Sequence, residues 1–153
     1  MPRPLAFSAD TLKTLSEPLF ELRVKVRFQD VDAAGTVFFP RVIEYFANAY
    51  LALLEAGGVD LPDVITKADW VAPIVHAEAD YFLPLRYGDA IAVEVAGAAL
   101  GSTSLTVGYR ITAQADRTRI HATGQTVHVF VDGKTFRSRP VPDAVRAAAE
   151  TKA

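Results

Sequence analysis

Two aspartates stand two residues apart in Asp30-Val31-Asp32-Ala33-Ala34-Gly35, a few residues ahead of a helix-like run. A carboxylate in such a place can attack an electrophilic carbon or draw a proton from water. Gly35 permits a tight backbone turn. Phe39 and Arg41 flank the expected helix start, where unpaired N–H groups and the positive end of the dipole gather. Such a start can hold a developing oxyanion. The same spacing equally suits an Asx turn followed by a cap. Residue types and spacing leave both readings open. Two carboxylates without a third oxygen-rich cluster make an incomplete magnesium shell, so no metal site is expected.

Other candidates carry less. His76, His121 and His128 fall on predicted strands without metal-like spacing and read as structural, with His76 the one expected to line a pocket. Ser102 and Ser104 have no adjacent base. Glu44, on the helix, is an alternative base. Phe28, Phe38, Phe39, Phe46, Tyr50 and Trp70 suit an aromatic pocket or an ordinary core.

The elements that must position these groups follow from periodicity. Leu22, Val24, Val26 and Phe28 alternate with Arg23, Lys25 and Arg27, a half-buried strand. From Pro40 to Ala56 the apolar residues Val42, Ile43, Phe46, Ala49, Tyr50, Leu53 and Leu54 recur at helical spacing. Pro40 suits the first position and Gly57-Gly58 the stop. Residues 70–82, 90–98, 103–113 and 119–131 read as strands. Asp132-Gly133 signals a two-residue hairpin into 134–139. A short helix follows Pro142-Asp143. Ser8 caps a short N-terminal helix in which Leu12 and Leu15 share a face. One long helix followed by closely linked strands implies α+β, with the helix on one face of an antiparallel sheet. Residues 1–20 read as an N-terminal extension and 21–153 as a single domain.

Composition narrows the classes. The 153 residues contain no cysteine, which excludes a disulfide scaffold, a Cys-based zinc site and a Cys nucleophile. A net charge of -2 offers no electrostatic footprint for nucleic acid. No apolar run approaches the roughly 18 residues that span a bilayer. The N-terminus does not read as a signal peptide, so a cytoplasmic location is expected.

The stretch Val26-Arg27-Phe28-Gln29-Asp30-Val31-Asp32-Ala33-Ala34-Gly35-Thr36-Val37-Phe38-Phe39 resembles the active-site motif of the 4-hydroxybenzoyl-CoA thioesterase family. Ala72-Pro73-Ile74-Val75 and the segment from Asp80 to Asp89 are similar to further family segments, and the likeness runs from about Leu22 to Pro142. The resemblance implies a hotdog fold, an antiparallel sheet wrapped around one long central helix and dimerised into a larger sheet, often as tetramers. It implies an acyl-CoA substrate, no cofactor, and Asp32 as nucleophile or general base. The Phe39 backbone N–H would polarise the thioester carbonyl, and Gly35 would let the loop approach the acyl group. Asp30 would order the turn. Phe38 and His76 would contact substrate, and the pair Phe38-Phe39 is similar to the aryl-CoA branches, including 1,4-dihydroxy-2-naphthoyl-CoA thioesterases. Gly101-Ser102-Thr103-Ser104 lacks the family's basic cluster, which leaves Lys134, Arg137 or Arg139 for the coenzyme phosphates. The alternatives are an acyl-CoA-binding module without turnover and a hotdog dehydratase.

Overall fold

The structure is a computed structural model that describes residues 5–150. Helix α1 spans Ala9–Thr14 and strand β1 Phe20–Lys25, with a 3-10 turn at Phe28–Asp30; α2 is Pro40–Ala56 and α3 Leu61–Lys67. Then come β2 (Trp70–Val71), β3 (Ile74–Tyr81), β4 (Ala90–Leu100), β5 (Ser104–Ala113), β6 (Asp116–Val129), β7 (Val131–Asp132) and α4 (Asp143–Glu150). Five strands form one antiparallel sheet in the order β1-β4-β5-β6-β3, and β2 pairs with β7. The expected α+β arrangement, one long helix against an antiparallel sheet, is what the chain adopts.

Helix α2 occupies the predicted span because its apolar stripe has a sheet to face. Val42, Phe46, Ala49 and Leu53 are buried, and Phe46 stacks flat on Tyr109 of β5, with centroids 4.6 Å apart. Burying one phenylalanine side chain contributes about 2–3 kcal/mol. The close approach depends on Gly124 of β6, where a Cβ would lie 2.4 Å from the Phe46 ring. Any larger residue there would push the helix off the sheet.

The opposite face is covered by the N-terminal segment. Ser8 caps α1 by accepting from the Thr11 N–H at 3.1 Å, and Leu12 is buried over Gly108. Leu15 lies just past the helix, at its C-cap. Gln125 clasps Phe7 through both backbone groups, at 3.3 and 2.7 Å. The buried Glu94 accepts from Arg110 at 2.5 Å and from Arg117 at 2.8 Å, and Arg110 also donates to the carbonyls of Leu12, Lys13 and Leu15 at the end of α1. Unlike the isolated charge burial forbids, this one is paired and fully hydrogen-bonded.

Four local expectations need correction. The first strand ends at Lys25, three residues before the alternation does. There the Asp30 side chain accepts from the Arg27 N–H at 3.2 Å and winds the chain into the 3-10 turn, which leaves Phe28 exposed. Residues 70–82 are two strands split at Ala72-Pro73, since proline offers no N–H to a ladder. The turn after β7 is longer than two residues: the Asp132 N–H donates to Arg137 O at 2.8 Å while its side chain accepts from Lys134 and Thr135. Helix α3 is additional, and Asp60-Leu61-Pro62-Asp63 is its start signal, with Asp60 accepting from the Asp63 N–H at 3.0 Å.

Candidate active site

The Asp30–Phe39 segment folds as a small hairpin between β1 and α2. The Asp32 N–H donates to Thr36 O at 2.8 Å, the Gly35 N–H to Asp32 O at 3.0 Å, and Val31 bridges Val37. Gly35 has φ +81°, the left-handed region that favours glycine, and open space lies where its Cβ would be. A second set of bonds ties the hairpin to the loop after β3: the Val37 N–H donates to Leu85 O at 2.8 Å and Thr36 bridges Arg86.

The two aspartates are treated differently. Asp30 is fully buried and accepts from the Arg27 guanidinium at 3.0 and 3.3 Å and from the Tyr45 hydroxyl at 2.7 Å. Burial alone would raise its pKa, but these donors outweigh it and hold the carboxyl below the usual range. Tyr45 shifts the other way, its hydroxyl pushed up by burial and by the Asp30 carboxylate it serves. Asp32 is exposed. One of its oxygens accepts from the Ala34 N–H at 2.9 Å, an Asx turn, and the other has no hydrogen-bond partner among the described residues.

The cap half of the simpler reading fails. Phe39 is the N-cap of α2 and no side chain caps the helix. The Arg41 and Val42 N–H groups turn back onto Phe38 O and Phe39 O, and the Phe39 N–H finds no acceptor among the described residues. One segment therefore carries an exposed carboxylate and, seven residues on, an unpaired amide at a helix start. That combination can activate a nucleophile and stabilise a developing oxyanion.

Beside the hairpin lies a cavity of about 240 Å³, walled by Thr36, Val37, Val42, Phe82, Leu85 and His121. His121 arrives from β6, with Nδ1 3.2 Å from Pro84 O. It is a residue whose place sequence spacing did not disclose; the only signal was its position on a strand. Tyr81, which also lines the cavity, donates to Phe39 O at 2.8 Å, and Phe39 meets Phe38 at 5.3 Å; separately, Phe28 meets Tyr87 edge-on at 6.1 Å. Tyr81, Phe38 and Phe39 are all exposed, a group of the kind that marks a binding surface.

Asp32, Gly35, Phe38 and Phe39 thus lie along one hairpin segment that runs into α2. Glu44 is exposed and ion-paired to Arg41 at 2.7 Å. His76 lies on β3, where pairing with Val127 sets it on the face away from α2, 3.3 Å from Glu78. Arg137 lies past β7, beyond the end of β6 at Val129, and that end is itself seven residues from Ala122, or about 23 Å at a strand's rise. Within one chain neither meets Asp32. The six aromatics divide: Phe46 is core, Trp70 packs on Phe130 at 5.3 Å, Tyr50 lines a second cavity, and Phe28, Phe38 and Phe39 are exposed. Among the described residues no cluster of His, Asp or Glu is placed to hold a metal ion, and no helix is long and apolar enough to cross a membrane.

A long helix on an antiparallel sheet, with a carboxylate turn at the helix start, is the hotdog arrangement. Residues 26–149 match the thioesterase-like superfamily, and the chain belongs to it. Among its relatives, the 1,4-dihydroxy-2-naphthoyl-CoA hydrolase of Rippkaea orientalis is 34% identical over 120 residues, covering 78% of this chain and 87% of that protein. The enzyme of the same name from Synechococcus elongatus is 32% identical over 128 residues, covering 83% and 92%. The crystal structure of a 1,4-dihydroxy-2-naphthoyl-CoA thioesterase from Synechocystis superposes with a TM-score of 0.79 at 26% identity, over 85% of this chain and 94% of the other. A gentisyl-coenzyme A thioesterase gives 0.73 at 26%, over 84% and 98%.

Proposed function

We propose that this protein is a cytoplasmic thioesterase that hydrolyses acyl-CoA esters with an aromatic acyl group. The observation that carries the proposal is the exposed Asp32 carboxylate on a tied hairpin that runs into the helix start bearing the unpaired Phe39 N–H. Asp32 attacks the thioester carbonyl or activates the water that does, and the Phe39 amide takes the charge that develops on the oxygen. Gly35 keeps the turn tight, and Phe38 walls the acyl group. The names of the relatives, both acting on naphthoyl esters, support an aryl substrate.

The unit of activity in this proposal is the 21–153 domain, with residues 1–20 as its extension, assembled as a dimer or tetramer. Strand β3 supports assembly: it ends the sheet, and Ile74, Val75, His76 and Ala77 are exposed along it. Antiparallel pairing of two such edges sets the start of one β3 beside the end of the other. His76 and Arg137 would then reach substrate from the second copy.

A thiol-release assay on benzoyl, phenylacetyl, naphthoyl and straight-chain CoA esters tests the activity. Faster turnover of the aryl esters is expected, with Asp32→Asn inactive. Equal or better turnover of long straight chains would remove the aromatic preference. Ligand binding without thiol release would make the chain an acyl-CoA-binding module, and a monomeric active species on light scattering would refute the assembly.

A further inference from the structure

A further cavity, of about 370 Å³, lies between the end of α1 and the face of the sheet turned away from α2. Lys13, Leu15 and Ser16 wall it from the N-terminal segment, and Arg110, Arg117 and Ile120 from β5 and β6. The extension, which the candidate active site does not use, thus supplies one whole side.

Its donors outnumber its acceptors. Arg110 is buried, with Nε given to Glu94 and Nη1 to the carbonyls that end α1, while Nη2 has no acceptor among the described residues. Arg117 gives Nε and Nη2 to Glu94, at 3.2 and 2.8 Å, and its Nη1 has no acceptor among them either. The Lys13 ammonium lies over the Phe82 ring, 3.6 Å from its centroid, and Ser16 adds a hydroxyl. Thr118 adds none, since its hydroxyl donates to Asp116 at 2.6 Å. On the same face of the sheet Thr112, opposite Ile120, and Thr123, opposite Arg110, carry buried hydroxyls with no partner among the described residues. A folded protein leaves few buried polar groups unpaired.

Charge is unbalanced in the same direction. Lys13, Arg110 and Arg117 bring three positive charges, and the buried Glu94 returns one. Glu17 and Glu21 act on Arg117 from outside the cavity, and Glu21 is already paired with Arg23 at 2.7 Å. Two charges in excess at a site partly shielded from water attract an anion.

We propose that this cavity binds a phosphate group, held between α1 and the sheet by Lys13, Arg110 and Arg117. A phosphate has three terminal oxygens and a charge of about −2, which match donors from three side chains and the excess of two. A carboxylate, with two oxygens and one charge, would leave one cation unanswered. The site stands independently of the thioesterase reading.

The test titrates inorganic phosphate into the full chain, with sodium chloride at equal ionic strength as the control, and follows heat and melting temperature. Phosphate is expected to bind saturably and to raise the melting temperature where chloride does not. Lys13→Met leaves both Glu94 pairs in place and should weaken phosphate by about tenfold. Arg117→Gln should do the same at some cost in stability, so each affinity is read below that variant's own melting temperature. Coenzyme A and 3′-dephospho-coenzyme A, competed against bound phosphate, identify its source. Displacement by the first alone assigns the site to the coenzyme's 3′-phosphate, by both to its diphosphate, and by neither to a free phosphate. Heat no greater than the chloride control, or an affinity that either variant leaves unchanged, would overturn the proposal.

Discussion

The Tyr45 hydroxyl reaches from the second turn of α2 to the buried Asp30 carboxylate at 2.7 Å, and so fixes the helix start against the hairpin that carries Asp32. Arg27 grips the same carboxylate from the other side at 3.0 Å. The relative placement of the Asp32 carboxylate and the Phe39 amide therefore depends on a residue that touches neither.

Tyr45→Phe keeps the ring and removes this bond. Leaving a buried carboxylate one donor short should cost about 1–3 kcal/mol in urea unfolding. Because the variant loosens geometry more than binding, kcat should fall about tenfold with little change in KM. Unchanged kcat in a destabilised protein would restrict Tyr45 to a structural part.

Asp32→Asn should behave in the opposite way. The asparagine carbonyl can still accept from the Ala34 N–H, so stability should change by less than about 0.5 kcal/mol. Thiol release should fall by about 10² or more. An Asn variant as active as wild type would exclude Asp32 as the reacting group.

Stability should decline as the solution is acidified from about pH 6.5. Burial lowers the His128 pKa from 6.5 to about 4, against a smaller opposing pull from the Ala72 backbone. Between those values the unfolded chain binds the proton and the folded one does not. Each step down in pH across that window therefore favours unfolding, up to a total of about 3 kcal/mol. Asp30, held below its ordinary value, adds a further loss at lower pH. Urea titrations from pH 7 to 4 check the slope, which His128→Gln should flatten.

Glu94→Gln should loosen the outer face while sparing the active site. It removes the charge that pairs Arg110 and Arg117, and breaking a buried pair costs about 3 kcal/mol. Hydrogen exchange should rise first in α1, whose last carbonyls depend on Arg110. Exchange confined to β1 and β4 would contradict this linkage.

Local pattern alone carried the fold a long way. The span of α2 was legible because Pro40, a stripe of apolar residues and Gly57 are all local signals of a helix and its ends. The β-rich second half was legible for the same reason. Phe28 misled because alternation continues past Lys25, while a side-chain bond from Asp30 redirects the backbone. The hairpin after β7 misled because Asp132-Gly133 signals a tight turn that the Asp132 side chain widens.

The sequence by itself determined where chemistry could sit: an Asp-x-Asp-x-x-Gly segment ahead of a proline-started helix, with no cysteine to compete. It did not separate the two aspartates. Only the tertiary structure decided that Asp30 is buried and committed to Arg27 and Tyr45 while Asp32 is exposed, with one oxygen that has no hydrogen-bond partner among the described residues. It also placed His121 beside the hairpin and His76 on the opposite face of the sheet. Burial and strand register depend on contacts between residues far apart in the chain, and no local spacing records them.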